Sequence, residues 1–155
     1  FLNAWGCQVT AFTSSESKKA EALELGAHSV LDTSSKSALA KSAGKFDFII
    51  STVNVKLDWN AYIATLAPKG RLHFVGATLE PLDIGAFSLI GGQKSVSGSP
   101  VGSPGVIKKM LDFAALHNIE PVTEYFRFDQ VNEAMARLRE GKAHYRIILS
   151  NTKAE

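Results

Sequence analysis

Cysteine is almost absent from this sequence: Cys7 stands alone among 155 residues. That excludes an internal disulfide and any metal site built on a cysteine cluster. It also fits a reducing compartment, most simply the cytoplasm. An excess of one charge is missing too, since seventeen basic residues against fifteen acidic ones leave a formal charge of +2. With no basic block, no nucleic-acid partner is expected. No apolar run approaches the roughly 18–20 residues that span a bilayer, so no membrane partner is expected either. His28, His73, His117 and His144 are scattered, and none has the spacing of a zinc pair. No Gly-x-Ser-x-Gly elbow or Ser–His–Asp order points to a hydrolase. Gly91-Gly92 is too short to read as a phosphate loop.

The sequence also lacks methionine at residue 1. Phe1-Leu2-Asn3-Ala4-Trp5-Gly6 reads as the end of a helix, and Gln8–Phe12 as a short strand after it. The expectation is a chain that enters a βαβ unit midway. What is present is otherwise ordinary for a globular protein, with 45% apolar and 21% charged residues.

Short apolar runs alternate with helical patterns over the first two thirds, which predicts α/β with a mostly parallel sheet. The periodicity predicts a helix over 17–25 ended by Gly26, a strand at Ser29–Asp32 and a weak helix over 34–43. Phe46–Ile50 is the strongest strand pattern. Asp58 has the position of an N-cap for a helix presenting Trp59, Tyr62, Ile63 and Leu66 on one face. Pro68-Lys69-Gly70 should end that helix, with strands at Arg71–Val75 and Gln93–Gly98.

Beyond the turn-rich run Gly98–Gly105, Ser103-Pro104 predicts a helix start. That helix should turn Val106, Ile107, Met110, Leu111 and Ala114 inward. Thr123–Phe128 reads as a strand and Asp129 as the cap of a helix with Val131, Ala134, Met135 and Leu138 on one face. Gly141 should end it, before a strand at Tyr145–Leu149 and a loose tail at Asn151–Glu155. This last third is too small for its own core and should pack on something else.

The turn Thr13-Ser14-Ser15-Glu16-Ser17-Lys18-Lys19 carries the clearest chemical signal. In dinucleotide-binding domains an acid at the end of the second strand accepts the ribose hydroxyls, while hydroxyls and a cation suit a 2′-phosphate. No acid precedes Glu16 here, and lysines in a helix first turn are disfavoured by the macrodipole unless an anion binds there. A plain solvated Ser/Lys turn fits the same residues equally well. Thr52-Val53 and Gly76-Ala77 follow strands, where small residues let backbone approach a ligand or simply make a turn. Cys7 reads as a small buried apolar residue rather than a nucleophile.

The runs FLNAWGCQVTAFTSSESKKAEALELGAHSVLDT, FDFIISTV, LAPKGRLHFVGA, SVSGSPVGS and FDQVNEAMARLREGKAHYRIIL together resemble the zinc-containing medium-chain alcohol dehydrogenases, in their cinnamyl-alcohol-dehydrogenase-like, NADP-dependent branch. The resemblance covers nearly the whole chain in order. It implies a Rossmann-type doubly wound parallel sheet over 1–100, without its first strand and glycine turn, and the C-terminal part of the catalytic domain over 101–155. It implies NADP as cofactor, with Thr13, Ser14, Ser15 and Lys18 around the 2′-phosphate. Thr52, Val53, Gly76, Gly98, Ser99 and Val101 would lie toward the nicotinamide, and Arg146 would reach the pyrophosphate. A small alcohol or aldehyde is the implied substrate. A homodimer or other homo-oligomer is the implied assembly, with a subunit contact around Lys94–Gly98.

The chain departs from that family in having neither the Cys-His-Cys ligands of a catalytic zinc nor a four-cysteine zinc lobe. Hydride transfer in the family needs zinc to polarise the oxygen, so this stretch is expected to be inactive alone. It would be the cofactor-binding part of a parent that holds the zinc. A non-catalytic nucleotide-binding or assembly module is the alternative. A methyltransferase is a weaker third reading, because its ribose-binding acid has no counterpart at Thr13 or Ser14. In the strand order 3-2-1-4-5-6, loss of the central strand would leave Val9–Phe12 and Phe48–Ile50 without a shared partner.

Overall fold

The computed structural model describes residues 1–151, so the tail expectation falls outside the described residues except at Asn151. The chain divides into two compact units, Phe1–Ser103 and the part from Pro104 onward.

The first unit opens on a helical turn that closes at once. The Trp5 N–H donates to Phe1 O at 2.9 Å, Gly6 to Asn3 O at 2.8 Å and Cys7 to Leu2 O at 3.0 Å. Nested bonds of this kind end a helix through one residue at positive φ. Gly6 supplies it at φ 80°. The helix-end expectation is met, but Cys7 is exposed rather than buried. It follows a surface turn and precedes the strand instead of lying within it.

Four crossovers follow. Strands β1 (Thr10–Thr13) and β2 (Ser29–Asp32) flank helix α1 (Ser17–Glu24). Helix α2 (Lys36–Lys41), capped by the Ser35 hydroxyl, leads to β3 (Phe46–Ser51). Helix α3 (Trp59–Thr65) leads to β4 (Leu66–Phe74). Helix α4 (Ala86–Ile90) leads to β5 (Ser95–Gly98). Every pairing is parallel: β1 with β2, β3 with β4, and β4 with β5. The α/β expectation with parallel strands therefore holds.

The strands form two sheets, β1–β2 and β3–β4–β5, rather than one. The break falls between β1 and β3, the two strands expected to lack a shared partner. Phe48 and Ile50 on β3 are 48% and 39% exposed.

The core lies on one face of β3–β5, where Ile49, Trp59, Ile63, Leu66 and Leu72 pack together. Ile63, Leu66 and Leu72 are fully buried, each a gain of about 1.5–3 kcal/mol over exposure. Asp58 caps α3 by accepting the Ala61 N–H at 3.2 Å. Phe12 of β1 meets the Phe46 ring edge-on at 5.0 Å, which joins the smaller sheet to this core.

β4, α2 and α4 depart most from expectation. β4 begins at Leu66 and runs through Pro68-Lys69-Gly70, because the chain passes directly from α3 into the sheet with a register slip opposite Phe46–Phe48. Helix α2 is shorter than 34–43, since Ser35 starts it and Ser42 ends it. α4 was not expected: five residues are too few to show a period.

The second unit holds α5 (Pro104–Leu116), β6 (Thr123–Arg127), a 3-10 turn (Phe128–Gln130), α6 (Val131–Arg139) and β7 (Arg146–Ser150). β6 and β7 pair in parallel. Asp129 does not cap α6. It lies inside the 3-10 turn and its carboxylate pairs with Arg127. The residues expected inward on α5 are not buried: Val106 and Leu111 are 57% and 58% exposed. On α6 only Ala134 is buried. Two strands and two helices offer too little surface to cover these faces.

Candidate functional site

A parallel sheet directs the carboxyl ends of its strands to one edge, which is where open α/β sheets bind ligands. Ten of the eleven residues singled out in the sequence lie in the first unit, most of them at or just past such ends. Thr13 closes β1, and the turn to α1 is built from hydroxyls. Thr13 Oγ1 accepts the Ser15 N–H at 3.1 Å, and the Ser15 and Ser17 hydroxyls are 2.8 Å apart. No side chain caps α1, whose first turn contains no acid. Ser14 and Lys18 are exposed.

Glu16 is held by Lys19, whose ammonium also lies 3.8 Å from Asp32 at the end of β2. Hydrogen bonding to Glu16, then its charge and that of Asp32, raises the Lys19 pKa against a desolvation cost. Asp32 is held below its usual range by the Ser34 hydroxyl and N–H first, and by Lys19. Sequence reasoning placed Lys19 beside Lys18 in the helix first turn but missed its pairing with Glu16, for which the i,i+3 spacing was the available signal.

The ends of β3 and β4 are brought together by backbone. The N–H groups of Val75 and Gly76 both donate to Ser51 O, at 3.0 and 3.1 Å. A Cβ at Gly76 would lie 2.5 Å from Thr52 O and 2.7 Å from Val53 O, so only glycine fits there. Thr52 is exposed and Val53 half-buried. Beside them the Ser51 hydroxyl is buried with no hydrogen-bond partner among the described residues.

At the end of β5, Ser99 N–H donates to Phe74 O at 3.2 Å. His73 then links two hydroxyls, with Nδ1 2.9 Å from Ser97 Oγ and Nε2 2.9 Å from Ser99 Oγ. Its ring stacks on Phe48. Residue types alone do not signal that bridge, which depends on the β4–β5 register. Gly98 sits at the strand end, and Val101 is 86% exposed. Arg146 belongs to the second unit, where it opens β7 opposite Thr123 with its side chain exposed.

These features fit a phosphorylated dinucleotide. The first turn offers hydroxyls and an exposed ammonium, Gly76 leaves backbone uncovered, and Ser51 has an unused buried hydroxyl. The donor set for zinc does not fit. Among the described residues no three His, Cys, Asp or Glu side chains group to hold a metal ion. No helix among them is long and apolar enough to cross a membrane.

Parallel crossovers with a site at the strand ends define a Rossmann-like α/β protein. The zinc-binding dehydrogenase family model matches residues 1–116, and the chain belongs to that family. It is 64% identical over 153 residues to aldehyde reductase AdhA of Synechocystis sp., covering 99% of this chain and 46% of that protein. It is 40% identical over 157 residues to probable cinnamyl alcohol dehydrogenase 6 of Arabidopsis thaliana, covering 99% of this chain and 43% of that one. The cinnamyl alcohol dehydrogenase structure from Sorghum bicolor superposes with a TM-score of 0.91 at 35% identity, over all of this chain and 45% of that one. The CAD structure from Helicobacter pylori, solved with NADP(H), gives a TM-score of 0.79 at 28% identity, over 99% of this chain and 44% of that one. The chain spans about half the length of the curated relatives it matches.

Proposed function

We propose that this chain is the NADP-binding part of an alcohol/aldehyde dehydrogenase that exchanges hydride with a small alcohol or aldehyde. The observation that carries this reading is the turn after β1. Its hydroxyls and exposed Lys18 surround an uncapped helix start, and its one acid is already paired. A 2′-phosphate there would accept charge-assisted bonds from Lys18 and bonds from Thr13, Ser14 and Ser15. Gly76 lets the cofactor approach the backbone beside Thr52 and Val53, while Gly98, Ser99 and Val101 flank its nicotinamide side. The bound nicotinamide supplies the hydride chemistry, and this chain's residues bind and orient it.

In this reading, residues 1–100 are the cofactor domain and 101–155 complete a catalytic domain. The stretch alone does not turn over, because zinc is held elsewhere in the protein. The protein is a cytoplasmic homo-oligomer with its subunit contact near Lys94–Gly98, where β5 hydrogen-bonds to β4 alone. The test is calorimetric titration of the full-length chain with 2′,5′-ADP and with 5′-AMP. Tighter binding of 2′,5′-ADP is expected, and equal binding would refute the phosphate site. Nucleotide binding without any alcohol or aldehyde turnover, measured on the whole protein with its zinc-holding part, would instead favour a non-catalytic nucleotide-binding or assembly module.

A further inference from the structure

The turn after β1 contains a second lysine whose ammonium lies against two carboxylates. Lys19 contacts Glu16 and lies 3.8 Å from Asp32, and its side chain is only 31% exposed. Lys18, one residue earlier, is exposed and has no ion pair among the described residues. The two lysines are thus divided between tasks.

We propose that Lys19 determines cofactor specificity by neutralising Glu16 and Asp32, so that the turn admits a 2′-phosphate dianion instead of repelling it. This rests on the NADP reading above. Glu16 and Asp32 carry two negative charges, and Lys18 and Lys19 carry two positive ones. Without Lys19 the turn is net negative where a dianion must dock. The freed Glu16, at the N-cap of α1 three residues past the end of β1, would also put an unpaired carboxylate in the turn where the phosphate docks. Lys19 therefore acts as a positioning residue: it holds an acid out of the way and does not itself touch the ligand.

Rescue by removing the acid separates this role from direct phosphate contact. The full-length chain is titrated with 2′,5′-ADP and 5′-AMP as wild type, Lys19→Met, Lys19→Arg and Glu16→Gln/Lys19→Met. Lys19→Met is expected to weaken 2′,5′-ADP about tenfold, as for one uncompensated charge near the surface, with 5′-AMP little changed. Lys19→Arg should keep the preference, and Glu16→Gln/Lys19→Met should restore most of it. If the double variant stays as weak as Lys19→Met, Lys19 contacts the phosphate directly and the proposal fails. It also fails if Lys19→Met weakens both ligands alike, which marks a purely structural pair. A wild type without preference for 2′,5′-ADP overturns the NADP reading itself. That outcome is distinct from a wild type with preference and a neutral Lys19→Met.

Discussion

The two units of this chain are held together by different means. In the first, Ile63, Leu66 and Leu72 are fully removed from water between α3 and the β3–β5 sheet. In the second, Ala134 is the one buried apolar residue among those described. Its fixed point is a carboxylate: Glu124 of β6 is gripped through both oxygens by Arg137 of α6 and accepts the His144 N–H at 2.7 Å. Burial resists acid and salt but yields to any loss of volume. A charge-assisted clamp behaves the other way round.

Truncation in the core should break this contrast most strongly. Ile63→Ala is expected to cost about 2–5 kcal/mol. In denaturant the first unit's tryptophan signal should fail early, while amide protection in β6 and β7 stays unchanged. Equal loss in both would show that the units unfold as one. Gly76→Ala sharpens the comparison at the ligand edge. Its Cβ would press on the Thr52 and Val53 carbonyls, at a cost of about 1–3 kcal/mol, and thermal melting with 2′,5′-ADP titration should show both stability and binding lost. Asp58→Ala removes the α3 cap and should lower stability by about 1 kcal/mol, measurable as a smaller shift in urea midpoint.

Acid should give the smallest effect, read in the second unit at Glu124. Arg137, then the His144 N–H, hold Glu124 from its ordinary 4.5 down to about 2. A carboxyl lowered by folding stabilises the fold above its unfolded pKa, and that contribution fades as pH falls from about 4.5 toward 2. Hydrogen exchange at Tyr125 should therefore quicken across that window in wild type and not in Glu124→Gln. A flat wild-type profile would remove the clamp from the account.

The first unit was the more legible of the two for the same physical reason. Strand β2 and the Asp58 cap could be read directly because each is decided by neighbours within a few residues. Apolar periodicity identified α3 because its face is buried. On α5 and α6 the same periodicity predicted burial that the structure does not show, since a pattern states what a face requires and not what covers it. Asp129 misled because a 3-10 turn can precede a helix and take the cap position. Of the site, the hydroxyl turn and the strand-end glycines were visible as residue types. Lys19 with Asp32, and His73 between two serines, become neighbours only through strand register.

That last arrangement makes His73 a built-in spectroscopic marker. Its two ring nitrogens each lie 2.9 Å from a serine hydroxyl, and the Phe48 ring stacked on it at 5.9 Å shifts its resonance. In a nitrogen-edited NMR spectrum His73 should stand apart from His28, His117 and His144. One peak would then report, without any added label, whether β3, β4 and β5 are aligned and whether a nucleotide has reached their ends.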